Sequence, residues 1–344
     1  MNPLAWAMMI SSLSTSTILT LSSYHWLVAW IGLELNTLSM LPIIAKLHHP
    51  RATEAATKYF IVQATGAALI MFASTMNAWA TGQWEIINML PIPTAIATLA
   101  ILLKLGIAPM HFWYPEVLQG STLNTALVLT TWQKLAPLSL LYLMMLNTST
   151  EVLLITGALS TMIAGVAGLN ETQTRKIMAF SSIGHMGWLM LTIPFNLNLT
   201  TLTIMMYIML TSSMFYMLKT VNAPTLKDLS QTNLHSPMLM TMMMIILMSL
   251  GGLPPLTGFM PKLLILKTLT DNNLLALAGL VALTSLPSLF FYLRITYLTT
   301  LTAPPKISTS QYKWRLKTHF KPKYLPLMIY TIFLMPMTPL LLNT

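Results

Sequence analysis

Residues 93–117 read PTAIATLAILLKLGIAPMHFWYPEV. The first half is apolar enough to enter a bilayer as a helix, yet it carries Lys104 and then runs into Gly106 and Pro109. Glycine and proline together free backbone carbonyls and amides, which a membrane interior tolerates only where protein or water satisfies them. The stretch is therefore expected to form a helix broken within the membrane, with a cation beside the break. Residues 237–268 repeat this grammar: Gly251-Gly252-Leu253-Pro254-Pro255-Leu256-Thr257-Gly258, then Phe259-Met260-Pro261-Lys262. As one straight helix those 32 residues would extend about 48 Å, well beyond a hydrocarbon core. The two Gly-x-x-Pro cores, Gly106 to Pro109 and Gly252 to Pro255, lie 146 residues and five spans apart. An odd offset reverses topology, so the pattern predicts inverted repeats with sites near mid-membrane.

The rest of the chain supports a membrane reading. With 55% hydrophobic and 8% charged residues and a mean hydropathy of +0.68, it has too little polar surface to cover itself in water. Apolar runs of membrane-spanning length recur throughout, at 3–22, 25–45, 56–79, 93–117, 123–146, 150–170, 176–194, 200–222, 237–268, 273–301 and 324–343. The expected fold is an all-α polytopic membrane protein of about eleven transmembrane helices, two of them discontinuous. A single membrane domain, 1–344, would comprise a first helix at 1–22, five-helix repeats at 25–170 and 176–301, a basic loop at 302–323 and a terminal helix at 324–343. The opening Met1-Asn2-Pro3 lacks the basic segment of a secretory signal.

Charge placement sets the orientation. Loops after even-numbered spans carry Lys46, Arg51 and Lys58, then Arg175 and Lys176, then Lys219 and Lys227. The last of them holds Lys306, Lys313, Arg315, Lys317, Lys321 and Lys323. The positive-inside rule places the N-terminus and these loops on the negative side and the C-terminus on the other. The net charge of +10 is thus topological, with anionic phospholipid rather than nucleic acid as the expected neighbour. The chain has no cysteine, which excludes disulfides, thiolate iron–sulfur ligands and cysteine nucleophiles. No phosphate loop, dinucleotide fingerprint, zinc spacing or nucleophile elbow is present.

Ionisable side chains inside apolar spans carry the functional signal. Lys104, Lys134 and Lys262 lie in three spans, and Glu34, in Trp30-Ile31-Gly32-Leu33-Glu34-Leu35-Asn36, lies in another. A charge near the bilayer centre costs roughly 2.5–3.5 kcal/mol on insertion scales. A desolvated lysine can release its proton, whereas arginine keeps it, so the set points to proton movement. Glu34 is expected to be the counter-charge that tunes a nearby lysine, in direct or water-bridged reach of Lys104. The bland alternatives are a structural ion pair for Glu34 and snorkelling of Lys262 out of its long span. His185, in Ser181-Ser182-Ile183-Gly184-His185, is either a packing histidine or part of a proton relay. Only His111 and His185 lie within spans, so paired haem ligation and a metal site are not expected. Gly157, Thr161 and Gly165 form a four-residue stripe suited to close helix packing.

Met1-Asn2-Pro3, Trp30 to Asn36, Leu103-Lys104-Leu105-Gly106-Ile107-Ala108-Pro109, Trp132-Gln133-Lys134 and Gly252-Leu253-Pro254-Pro255-Leu256-Thr257-Gly258-Phe259 together resemble the antiporter-like membrane subunits of respiratory complex I, NADH:ubiquinone oxidoreductase. The resemblance covers essentially the whole chain. Its 29 methionines, with many Leu and Thr, resemble the composition of vertebrate mitochondrially encoded proteins. The resemblance implies proton translocation across the inner mitochondrial membrane, coupled to electron transfer from NADH to ubiquinone on other subunits. It implies no cofactor on this chain, with flavin, iron–sulfur clusters and ubiquinone elsewhere in the complex. It implies other membrane-arm subunits and phospholipid, cardiolipin included, as partners. The basic loops and N-terminus would face the matrix, and the C-terminus the intermembrane space. The family's helix glutamate, three lysines and hydrophilic axis fall on Glu34, Lys104, Lys134, Lys262 and His185. Bacterial relatives have three further helices at the start. A structural assembly subunit without a proton route and a stand-alone cation/proton antiporter are the alternatives.

Overall fold

A computed structural model describes residues 3–230 and 237–301. It divides into two compact units, Met1–Ser160 and Thr161–Thr344. The first contains α1 (Pro3–Leu21), α2 (Trp26–Ile44), α3 (Pro50–Thr81), α4 (Pro91–Leu105), α5 (Trp113–Gly120), α6 (Leu123–Thr130) and α7 (Leu135–Leu143). The division falls inside α8 (Thr150–Gly168). The second continues with α9 (Thr174–Thr192), α10 (Leu197–Val221), α11 (Leu226–Ser230), α12 (Pro237–Gly251), α13 (Phe259–Asp271) and α14 (Leu275–Leu301). The expected loop 302–323 and terminal helix 324–343 lie outside the described residues. The total of about eleven spans therefore rests on sequence there.

The helix ends follow from local chemistry. His49 caps α3, its Nδ1 accepting from the Arg51 N–H at 3.2 Å, and Pro50 occupies the first turn where its missing donor costs nothing. Asn196 caps α10 through Oδ1, which accepts from the N–H groups of Asn198 and Leu199. Among the described residues, six helices are long and apolar enough to cross a bilayer: α1, α2, α3, α8, α10 and α14. Burial is distributed as lipid demands. Leu4, Met8, Ile18, Ile61, Phe72, Met205 and Leu283 are exposed, while Asn36, Gln63, Asn77, Lys104 and Lys134 are buried. Many hydroxyls donate to a carbonyl one turn back, as Thr98 does to Ala95 at 2.9 Å and Ser181 to Met178 at 2.7 Å. That consumes their hydrogen-bonding capacity without water.

Both expected breaks are present. The first broken helix is α4 and α5, separated at residues 106–112, and α3 packs along both halves. The second is α12 and α13, separated at residues 252–258, and α10 and α14 pack against both halves. The units share a closure before these helices: an isolated bridge pairs His25 with Glu85 in the first and Gln173 with Thr225 in the second. The Trp26 N–H donates to Trp84 O at 3.1 Å, and the Thr174 N–H donates to Pro224 O at 3.1 Å. The stripe on α8 also packs as expected in the second unit. Thr161 shares a hydroxyl hydrogen bond with Thr284 at 3.1 Å, and Gly165 lies against Pro287 and Thr284.

The span read as a plain helix at 123–146 is also interrupted. Helix α6 stops at Thr130, a short 3-10 turn covers Trp132–Lys134, and α7 starts at Leu135. Pro137 lacks the N–H that would bond the Gln133 carbonyl, and its ring crowds that carbonyl. Proline alone is insufficient, because Pro42 and Pro287 sit inside α2 and α14. At this site the polar side chains add anchors: the Gln133 amide bonds Asn36 at 2.9 Å, and Lys134 lies over the Tyr114 ring. The hydroxyls of Thr130 and Thr131 both donate to the Leu127 carbonyl.

Candidate functional site

In the first unit the site grows from the end of α4. Gly106 takes φ +70°, the left-handed cap that glycine adopts without a Cβ penalty. The N–H of Ile107 donates to Leu102 O at 3.1 Å. Side chains satisfy the carbonyls that the break releases: Gln63 Nε2 donates to Lys104 O at 3.1 Å, and Trp113 Nε1 to Leu103 O at 3.3 Å. Gly66 on α3 makes room for the lysine stem, since a Cβ there would sit 3.0 Å from Lys104 Cγ.

Lys104 is 5% exposed, and among the described residues its Nζ has no hydrogen-bond partner. Lys134 is 4% exposed, with Nζ 4.9 Å from the centre of the Tyr114 ring. Both lysines line one small cavity, together with Asn36, Tyr59, Gln63 and Gln133. Glu34 is part-buried and does not line that cavity. Its Oε2 accepts from Thr37 Oγ1 at 3.2 Å. Its carboxylate makes no direct contact with the Lys104 ammonium. His111 is buried, with Nδ1 3.2 Å from Pro109 O and its ring against Phe112.

In the second unit Gly252 ends α12 at φ +84°. Lys262 on α13 folds back to it, and its Nζ donates to Gly251 O at 2.8 Å. A Cβ on Gly252 would lie 3.0 Å from that nitrogen. The ammonium is therefore directed at the break. It also stands 5.9 Å from the Trp188 ring centre. The His185 ring packs 5.7 Å from that of Tyr207. Two small cavities both include His185, Trp188 and Lys262 in their walls.

The structure thus joins Lys104 with Lys134, and His185 with Lys262, and leaves Glu34 outside the cavity walls. Sequence reading passed over Asn36, Tyr59, Gln63, Gln133, Trp188 and Tyr207. One signal was available for two of them. Tyr59 and Tyr207 each fall 34 residues after the bridge residue of their unit, His25 or Gln173. Both are buried beside a lysine-lined cavity.

Residues 23–287 match the family described as NADH:quinone oxidoreductase/Mrp antiporter, TM. The chain belongs to this antiporter-type membrane family. Within the family, residues 289–342 match a further description, NADH dehydrogenase subunit 2 C-terminus. The chain is 51% identical over 343 residues to NADH-ubiquinone oxidoreductase chain 2 of Salmo salar, covering 98% of each. It is 47% identical to the Xenopus laevis protein of that name, covering 100% of each. Antiporter-type folds in solved complexes superpose well. A chain of respiratory complex I from Thermus thermophilus matches at TM-score 0.86 and 24% identity, covering 100% of this chain and 81% of that one. One from the Mrp complex of Dietzia matches at TM-score 0.81 and 14% identity, covering 97% and 75%. These two likenesses establish the shared fold.

Proposed function

We propose that this chain is a core membrane subunit of an NADH:ubiquinone oxidoreductase and moves protons across the inner mitochondrial membrane while electrons pass from NADH to ubiquinone on other subunits. Family membership and the names of relatives about half identical over full length support the setting. The observation that carries the proton role is the pair of buried lysines, Lys104 and Lys134, on one polar-lined cavity. Such a cavity has the amide and hydroxyl partners that ordered water needs, and an ammonium without a protein partner is free to bond it. Lys104 holds a proton beside the broken helix and passes it toward Lys134. The Glu34 carboxylate modulates that step by its field. In the second unit His185 and Lys262 form the corresponding station.

The two broken helices belong to repeats at 25–170 and 176–301 of opposite topology, which suits access from alternate sides. This chain performs no redox chemistry: flavin, iron–sulfur clusters and ubiquinone sit on other subunits. Its partners are the other membrane-arm subunits and phospholipid, cardiolipin included. The N-terminus faces the matrix and the C-terminus the intermembrane space, in line with the basic loops. A purely structural role fits less well, because a scaffold gains nothing from a buried ammonium with no protein hydrogen-bond partner among the described residues. The match of residues 289–342 to a subunit-specific C-terminus argues against a stand-alone antiporter.

Lys104→Met and Lys134→Met keep the apolar stem and remove the proton site. In proteoliposomes holding the assembled complex, each is expected to lower the protons moved per electron pair while native gels show normal assembly. Unchanged stoichiometry with normal assembly would sink the assignment.

A further inference from the structure

The second unit differs from the first in how its lysine meets open space. In the first, one cavity holds both lysines. In the second, Lys262 borders two cavities of different lining. One is walled by hydroxyls from α9 and α14: Ser181, Thr284, Ser288 and Tyr292. The other is walled from α10 by Thr203 and Tyr207 and from the second half-helix by Pro261. Besides Lys262, only His185 and Trp188 are common to both walls.

We infer that Trp188 is a positioning residue that partitions these two cavities, and that Lys262 presents its ammonium to one side or the other across the indole. This rests on the proton-translocating reading and deepens it. Trp188 is 6% exposed and stands in the wall of both cavities. Indole has a donor N–H and no acceptor nitrogen, so it does not relay a proton as histidine does. Its π face nevertheless attracts a passing ammonium, and the Lys262 nitrogen already stands 5.9 Å from the ring centre. The lysine has a defined resting seat, the Gly251 carbonyl at 2.8 Å, at the negative end of α12. Gly252 has no Cβ to crowd that seat. Leaving it requires rotation of a flexible four-carbon stem and the exchange of one carbonyl for cavity water. The wall thus blocks a continuous water path, while the lysine that bridges it carries the proton.

The test uses the assembled complex in proteoliposomes with Trp188→Ala, Trp188→Phe and Lys262→Met. Trp188→Ala is expected to keep NADH:ubiquinone electron transfer, to lower the proton yield, and to raise passive proton leak several-fold in vesicles without NADH. A merely structural tryptophan would not produce a leak at rest. Trp188→Phe retains an aromatic wall and is expected to fall between wild type and Trp188→Ala. Should the alanine variant fail to assemble, Trp188→Leu takes its place with the same expectation. A tight, fully pumping Trp188→Ala or Trp188→Leu complex overturns the partition. Lys262→Met separates the two levels of the account. If it lowers pumping while the Trp188 variants change nothing, the partition alone is wrong. If it also pumps normally, the proton role of the second unit falls with it.

Discussion

Lys104 combines deep burial, a positive charge and no protein hydrogen bond. Removing an ion from water costs several kcal/mol even after relaxation, so a group held this way needs water or a moving counter-charge. The Glu34 carboxylate accepts from Thr37 and makes no direct contact with the Lys104 ammonium. Glu34→Gln keeps the shape and the Thr37 partner while removing the charge. It is expected to impair proton pumping more than assembly, and equal loss of both would reduce Glu34 to a structural residue. The charged residues were legible because each stands nearly alone in an apolar run. Asn36, Gln63 and Gln133 were not. Uncharged polar residues are frequent in membrane helices, and whether one lines a cavity depends on helix rotation that a single span does not encode. Tyr59 and Tyr207 became visible only once the bridges at His25 and Gln173 gave the two units a common register.

Discontinuity is the property that organises the helices. The breaks after Leu105 and Gly251 were readable because glycine and proline act together there, and each glycine does take a left-handed cap. The interruption at Lys134 was hidden, because its signal is one proline, of a kind that α2 and α14 absorb without breaking. All three span lysines thus sit at or beside helix interruptions. There, freed backbone groups and the lysine share one polar pocket. Pro137→Ala restores an N–H that can reach the Gln133 carbonyl. It is expected to close the helix across residues 130–137, adding about 0.5–1.5 kcal/mol for the new bond while turning Lys134 away from Tyr114. Hydrogen exchange would then show a protected amide at position 137, accompanied by reduced pumping. Protection with full pumping would show that the interruption serves packing alone.

Among the described residues the distribution of polarity is that of a lipid-solvated protein: apolar residues such as Leu4, Ile61 and Leu283 stand outward, and Asn36, Gln63, Lys104 and Lys134 inward. Composition and run length made the fold class legible, because a chain with 8% charged residues has no aqueous solution to its burial problem. The paired cavities were not legible, since they arise where helices from distant parts of each unit meet. The small cavity lined by Lys104 and Lys134 is where the proton role is most open to test. The most direct measurement is a structure of the assembled complex in lipid, at a resolution that orders internal water. The account predicts a hydrogen-bonded water chain in that cavity, touching the Nζ atoms of Lys104 and Lys134 and the amides of Gln63 or Gln133. A dry cavity, or one filled by lipid or a partner side chain that separates the two lysines, would contradict it.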